Sequence, residues 1–97
     1  NKASTSLYSR DAAVVAWTLA NSKGIFECCD NPAPFQKKNG QFYLEVHHVK
    51  PLAEDGSDTI GNTIAVCPNC HREIHFGSNS ETLVKRVYSK VGRLTRE

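Results

Sequence analysis

The sequence contains no methionine, not even at position 1, and a single tryptophan. A chain that opens at Asn1 is read as a C-terminal fragment of a longer protein. Long apolar stretches are missing as well. The longest aliphatic run, Ala12 to Ala16, is far too short to cross a bilayer, which takes about 20 apolar residues. No secretory signal pattern, internal repeat or low-complexity segment is present. What remains is one small domain over residues 1–97, expected in the cytoplasm. A core of this size supplies only about 3–5 kcal/mol of net stability, so a bound metal would be a useful staple.

A strong charge imbalance is also missing. The formal net charge of +2 announces no partner by itself. The distribution says more, because Thr82 to Arg96 holds five basic residues and no acid. Such a cluster is either a solvated helix face or a phosphate-contacting surface.

Four cysteines are present: Cys28, Cys29, Cys67 and Cys70. Two disulfides would suit a secreted protein, but nothing here points to secretion. Cys67-Pro-Asn-Cys70 is a C-x2-C knuckle, in which a tight turn aims two thiolates at one tetrahedral ion. Cys28 and Cys29 are less regular. Adjacent cysteines rarely share an ion comfortably, so one is expected to ligate while the other stands by.

Read along the chain, residues 9–21 form a helix, with Ser9 as N-cap, Asp11 in the first turn and Gly24 ending it. "CDNPAPFQKKNGQ" is turn-rich, and its Asn39-Gly40 pair signals a hairpin. "QFYLEVHH" reads as a strand, "PLAEDGSDTIGN" as a polar loop and "TIAVC" as a second strand pairing with the first. Pro68 opens a helix carrying His71 and His75, and Gly77 closes it. Ser78 and Glu81 have capping-box spacing for a last, basic helix over 79–91. The class is α+β, and a lone two-stranded hairpin feeding a helix is too small to stand without a metal.

The four histidines fall into two close pairs. His71 and His75, four apart on a helix, stack on one face at metal-ligand spacing. "HREIH" puts Glu73 on another face, so it is no zinc-protease motif, and the cysteine-to-histidine interval is too short for a C2H2 finger. His47 and His48 sit side by side on a strand and must point to opposite sides. Only one of them can share an ion with His71 and His75; the other is left as a base.

The combination of "LEVHH", Asn62 fourteen residues after His48, His71 nine further on, and "CPNCHREIH" resembles the HNH endonuclease family with its ββα-metal fold. It is closest in pattern to the zinc-containing branch found in modified-DNA-dependent restriction enzymes, and its histidine spacing is similar to that of the colicin DNases. The resemblance covers about Cys28 to Gly77 and implies a core over 25–77 with flanking helices. It implies His48 as general base, His47, His71 and His75 as ligands of one catalytic divalent ion, and Asn62 as a brace for the loop behind the base. Cys28, Cys29, Cys67 and Cys70 would hold a structural zinc. Glu45 is either an ordinary strand residue or one that orients a neighbour. Relatives carry C-x2-C before the "PAPF" segment, whereas here the first cysteine would fall on Phe26, so either Cys28 substitutes from a shifted backbone or the zinc has an incomplete or altered ligand set.

The chemistry suits these residue types. A neutral imidazole is a competent base near neutral pH, and one divalent ion can polarise the phosphate and stabilise the departing oxygen. An imidazole-rich set favours Zn2+, Ni2+, Co2+ or Mn2+, although Mg2+ supports related sites. DNA is the expected partner, gripped by its backbone through Lys37, Lys38, Lys85, Arg86, Lys90 and Arg93. Specificity, such as for modified cytosine, would lie in a recognition domain elsewhere in the full-length chain, and a homodimer would serve double-strand cleavage. Two other readings stay open: a zinc-ribbon DNA-binding module without catalysis, and an HNH nuclease that nicks or cuts RNA.

Overall fold

The computed structural model describes residues 10–97. Helix α1 spans Ala12–Ser22 and starts at Asp11, whose side chain accepts the Ala13 N–H. The cap is therefore Asp11, and the expected Ser9 lies outside the described residues. A carboxylate at this position satisfies one of the open N–H groups of the first turn and complements the helix dipole. Lys23 ends α1 in the left-handed conformation, and Gly24 follows with positive φ against the Phe42 ring. A glycine is required there, because a Cβ would lie 3.0 Å from that ring.

Strands β1, Glu45–His48, and β2, Thr63–Val66, form one antiparallel pair. β1 is shorter than the run "QFYLEVHH" suggests. Its first half is diverted into a separate turn closed by the Gln36–Phe42 bridge, with Gly40 at positive φ. The register sets His47 opposite Ile64 and His48 opposite Thr63. Because side chains alternate along strands, one face carries Glu45, His47, Ile64 and Val66, and the other carries Val46, His48, Thr63 and Ala65.

Helices α2, Pro68–Phe76, and α3, Ser80–Lys90, follow β2. Pro68 takes the first helical position, where a missing N–H costs nothing. Gly77 closes α2 through its N–H to Glu73 O, in extended rather than left-handed conformation. The N-cap of α3 is Asn79 and makes no side-chain cap bond, so the Ser78–Glu81 capping box does not form.

Ile64 and Val66 pack with Ile74 of α2, Leu83 and Val87 of α3, and Phe26 and Cys28 of the preceding turn. Each such aliphatic side chain, fully buried, contributes about 1.5–3 kcal/mol. On the other face, α1 packs against β2, and Thr18 and Thr63 share a buried hydroxyl–hydroxyl bond of 2.8 Å. The sheet is thus held between α1 and the α2–α3 pair, and each histidine of the doublet faces a different helical layer.

The open edge of β2 is closed by Glu27. Its N–H donates to Ala65 O, and its carboxylate accepts the Ala65 N–H. Arg93 completes this clamp with two bonds to Glu27 (2.6 and 2.8 Å), one to Thr63 O and one to Ile60 O, its guanidinium lying 5.2 Å from the Trp17 ring centre.

Candidate active site and metal centres

The first cluster is built by two turns. Cys67 caps α2, and its Sγ accepts the Cys70 N–H at 3.3 Å, the geometry that a C-x2-C knuckle at a helix start imposes. Opposite it, Glu27 to Cys29 form a turn closed by Asp30 N–H to Phe26 O, with Asp30 at positive φ. Side chains in such a turn diverge by roughly 100° rather than the strand's 180°. Both adjacent thiols therefore reach the same space, and the sulfurs of Cys28, Cys29, Cys67 and Cys70 all lie within 4.8 Å of one another. This differs from the expectation of one ligand and one bystander. Phe26, where relatives' first cysteine would fall, is instead a buried core residue.

None of the four is in a disulfide. Burial pushes the Cys28 thiol up to about 11, and burial with the neighbouring thiols raises Cys70 as well. At Cys67 burial opposes ionisation but is outweighed by hydrogen bonds from Cys70 and Cys29. Thiols packed this closely ionise together only around a cation, and a set of four sulfurs this close together fits zinc.

The second cluster joins β1 to α2. His47 points from β1 toward α2, where His71 and His75 stand one turn apart. Ring centres are 5.2 Å (His47–His71), 4.9 Å (His47–His75) and 5.1 Å (His71–His75). His47 is 4% exposed, and its Nε2 has no hydrogen-bond partner among the described residues. An unpaired buried imidazole nitrogen costs about 1–3 kcal/mol unless something binds it. Burial, then the neighbouring His71 and His75 rings, push His47 down to about 3, so it stays neutral with its lone pair available. Three imidazoles with no fourth protein ligand among the described residues fit a divalent ion that keeps open coordination positions.

Glu45 lies two residues before His47, on the same strand face. Its Oε1 is 2.9 Å from His71 Nδ1, and its Oε2 accepts the Tyr43 hydroxyl at 2.7 Å. These bonds, Tyr43 first, hold the Glu45 carboxyl below its usual range.

His48 points to the opposite face, 5% exposed, with Nε2 2.7 Å from Asp58 Oδ1. Beyond the end of β1 the two faces meet. A cleft of about 250 Å³ is lined by His47, His48, His71 and His75 together with Arg10. On the α3 side of the same histidines, a groove of about 530 Å³ is lined by His47, His75, Lys85 and Arg96 among others. Asn62, fully buried, ties the loop after His48 into a closed unit. Its Oδ1 accepts the Lys50 N–H (2.9 Å), and its Nδ2 donates to Lys50 O (2.9 Å) and Ser57 O (2.8 Å).

The six candidate DNA-contacting cations separate. Lys85 lines the groove beside His75, and Arg86 is exposed on α3. Lys37 and Lys38 are exposed on the 36–42 turn and line neither cleft nor groove. Lys90 is bound to Asp30 at 2.7 Å, and Arg93 is spent on Glu27 and the edge of β2. The geometry therefore gives Arg93 a role inside the fold rather than on DNA. Sequence reasoning passed over Arg10 and Asp58, which carry no periodic or spacing signal, and met Arg96 only as one cation of the basic tail.

Residues 27–77, just over half of the chain, match the HNH endonuclease family. The chain belongs to that family. It is 49% identical over 90 residues to the type IV methyl-directed restriction enzyme EcoKMcrA of Escherichia coli strain K12, a match covering 93% of this chain and 32% of that enzyme. The structure of the type IV phosphorothioation-dependent restriction endonuclease ScoMcrA superposes with a TM-score of 0.76 at 32% identity, covering 92% of this chain and 20% of the other. A shorter stretch of 31 residues is 45% identical to anaredoxin of Nostoc sp. strain PCC 7120, 32% of this chain and 41% of that protein. The chain is thus an HNH nuclease domain homologous to McrA-type restriction endonucleases, and it spans a third or less of those enzymes.

Proposed function

We propose that this domain hydrolyses DNA phosphodiester bonds as the cleavage module of a modified-DNA-dependent restriction enzyme. The observation that carries this reading is the convergence of four histidines on one cleft from two strand faces, with His47 Nε2 buried and unpartnered among three imidazoles. A zinc ribbon that only binds DNA needs the cysteines but gives the histidine cluster no purpose.

In this reading His47, His71 and His75 hold one divalent ion, and Cys28, Cys29, Cys67 and Cys70 hold a structural zinc. An ion held by these residues, Mg2+, Mn2+, Ni2+, Co2+ or Zn2+, would supply Lewis-acid polarisation of the scissile phosphate and charge stabilisation for the departing 3′ oxygen. His48 takes the proton of the attacking water, giving 5′-phosphate and 3′-hydroxyl ends. Asn62 keeps the loop behind His48 in shape. Arg10 on one side of the histidines, and Lys85 with Arg96 on the other, receive the DNA backbone. Recognition of the modified base belongs to another part of the full-length protein, in keeping with the share of the two restriction enzymes that this chain covers. A homodimer supplies the second site for double-strand cuts. Four free thiols suit the reducing cytoplasm.

The test is supercoiled-plasmid nicking with added Mn2+ or Ni2+, with and without chelator, by wild type and His48→Ala. His48→Ala is expected to keep its fold and bind metal with cleavage abolished. Nicking at the wild-type rate by that variant overturns the reading, and an RNA substrate run in parallel separates DNA from RNA cleavage.

A further inference from the structure

Asp58 stands in the loop between the strands, ten residues after His48, and its two carboxylate oxygens face different elements. Oδ1 is 2.7 Å from His48 Nε2, and Oδ2 accepts the backbone N–H of Asp11, the N-cap of α1. The carboxylate is thus fixed from behind by a helix N-terminus and presents its free oxygen to one edge of the imidazole. Burial works against ionisation of Asp58, but the His48 hydrogen bond and the Asp11 N–H outweigh it, with the positive field of Arg10 adding to them, and its pKa falls below the usual carboxylate range. An ionised carboxylate can only accept. The proton between the two groups is therefore carried by Nε2, which leaves the lone pair on Nδ1.

We propose that Asp58 is a positioning residue: it fixes the ring and tautomer of His48 so that Nδ1 is the nitrogen that receives the proton of the attacking water. This rests on the reading of His48 as the base. As the water oxygen bonds to phosphorus, its proton passes to Nδ1 while the P–O3′ bond breaks, and the released 3′ oxygen takes a proton from solvent. The imidazolium formed in that step lies against the Asp58 carboxylate. Asp58 is not itself a lining residue of the cleft and makes no hydrogen bond to His47, His71 or His75 among the described residues, so it acts through the base.

Asp58→Asn is the discriminating variant, because its amide oxygen can still accept the Asp11 N–H while its NH2 group cannot accept from Nε2. Two readouts are made on the whole chain. The first is the nitrogen NMR spectrum of 15N-histidine-labelled protein, with the His48 signals identified by their loss in His48→Gln. Wild type is expected to carry the proton on Nε2, and Asp58→Asn to shift population toward the Nδ1-protonated form. The second is plasmid cleavage with Mn2+. In Asp58→Asn kcat is expected to fall about 10- to 100-fold, with KM for plasmid and the Mn2+ midpoint unchanged, and Asp58→Glu to recover part of the loss. A wild-type His48 protonated on Nδ1 overturns the proposal, as does an Asp58→Asn kcat within about twofold of wild type. Failure of the wild type to cut any DNA would instead strike the nuclease reading, and the spectrum, which needs neither DNA nor metal, still decides the role of Asp58.

Discussion

The Nδ1 of His71 lies 2.9 Å from a carboxylate oxygen of Glu45, and that contact decides which end of the imidazole is free. Glu45 is ionised and accepts only, so Nδ1 carries the hydrogen and Nε2 keeps the lone pair that a metal needs. Tyr43 binds the other oxygen, and Tyr43, Glu45 and His47 alternate along one run of chain so that all three serve the same face.

From this follows the first prediction. Glu45→Gln removes the acceptor that fixes the tautomer and is expected to weaken Mn2+ or Ni2+ binding about 10- to 100-fold in calorimetric titration. Cleavage by the variant should recover at high metal concentration, since His48 is untouched. Unchanged metal affinity would mean that Glu45 is an ordinary strand residue.

Asn62 supports the site by a different route. Its side chain makes three hydrogen bonds to Lys50 and Ser57 in the loop that follows the base. Asn62→Ala takes three hydrogen-bond partners from those part-buried backbone groups and is expected to cost about 2–4 kcal/mol in urea unfolding. Asn62→Asp should cost at least as much, because it keeps the acceptor but sets a buried carboxylate against the Lys50 and Ser57 carbonyl oxygens. Loss of cleavage with stability unchanged would show that Asn62 acts on substrate rather than on the loop.

Much of this site was legible because its signals are local. The C-x2-C knuckle, the proline at the start of α2 and the four-residue interval between His71 and His75 each fix geometry within one turn. The doublet of His47 and His48 needs only the alternation of a strand. Contacts made between distant segments were not legible. Asp58 is one acid in a polar loop, and nothing in its neighbours says that a helix cap will hold it against His48. Arg93 looked like one more cation in a basic tail, yet tertiary contacts with Glu27 and Thr63, 66 and 30 residues away, consume its donors. For Cys28 and Cys29 adjacency alone left open whether both thiols reach one ion, and the turn closed by Asp30 N–H to Phe26 O is what brings both to Cys67 and Cys70.

The two proposed metal centres should separate under chelation. A mild chelator is expected to strip the histidine cluster and stop cleavage with little change in thermal melting, since His47, His71 and His75 hang on elements packed by other contacts. Removal of zinc from the cysteines, or Cys70→Ala, takes away the link between the 27–30 turn and the start of α2. Structural zinc contributes about 10–16 kcal/mol of binding free energy in zinc-finger peptides, more than a domain of this size has in reserve. The cooperative melt should therefore vanish, with one equivalent of zinc lost by metal analysis. A cooperative melt in the zinc-free protein would refute a structural role for the cluster.

Lys85 and Arg93 come from the same basic segment and are expected to behave oppositely. Lys85 lines the groove beside His75 and makes no ion pair among the described residues, so Lys85→Ala should leave the melt unchanged. If it contacts a phosphate, DNA affinity falls and the slope of log K against log salt decreases by about 1. Arg93 makes a forked pair with Glu27, both side chains mostly shielded from solvent, and ties down two carbonyls. Arg93→Ala strands the Glu27 carboxylate at the edge of β2 and should cost about 2–4 kcal/mol of stability. Its salt slope should stay at the wild-type value, measured at a temperature where the variant is folded. The double variant Glu27→Gln with Arg93→Ala should recover part of the stability, because the buried charge is gone. If Arg93→Ala instead lowers the salt slope and leaves the melt alone, the clamp at the sheet edge is not what the guanidinium is for.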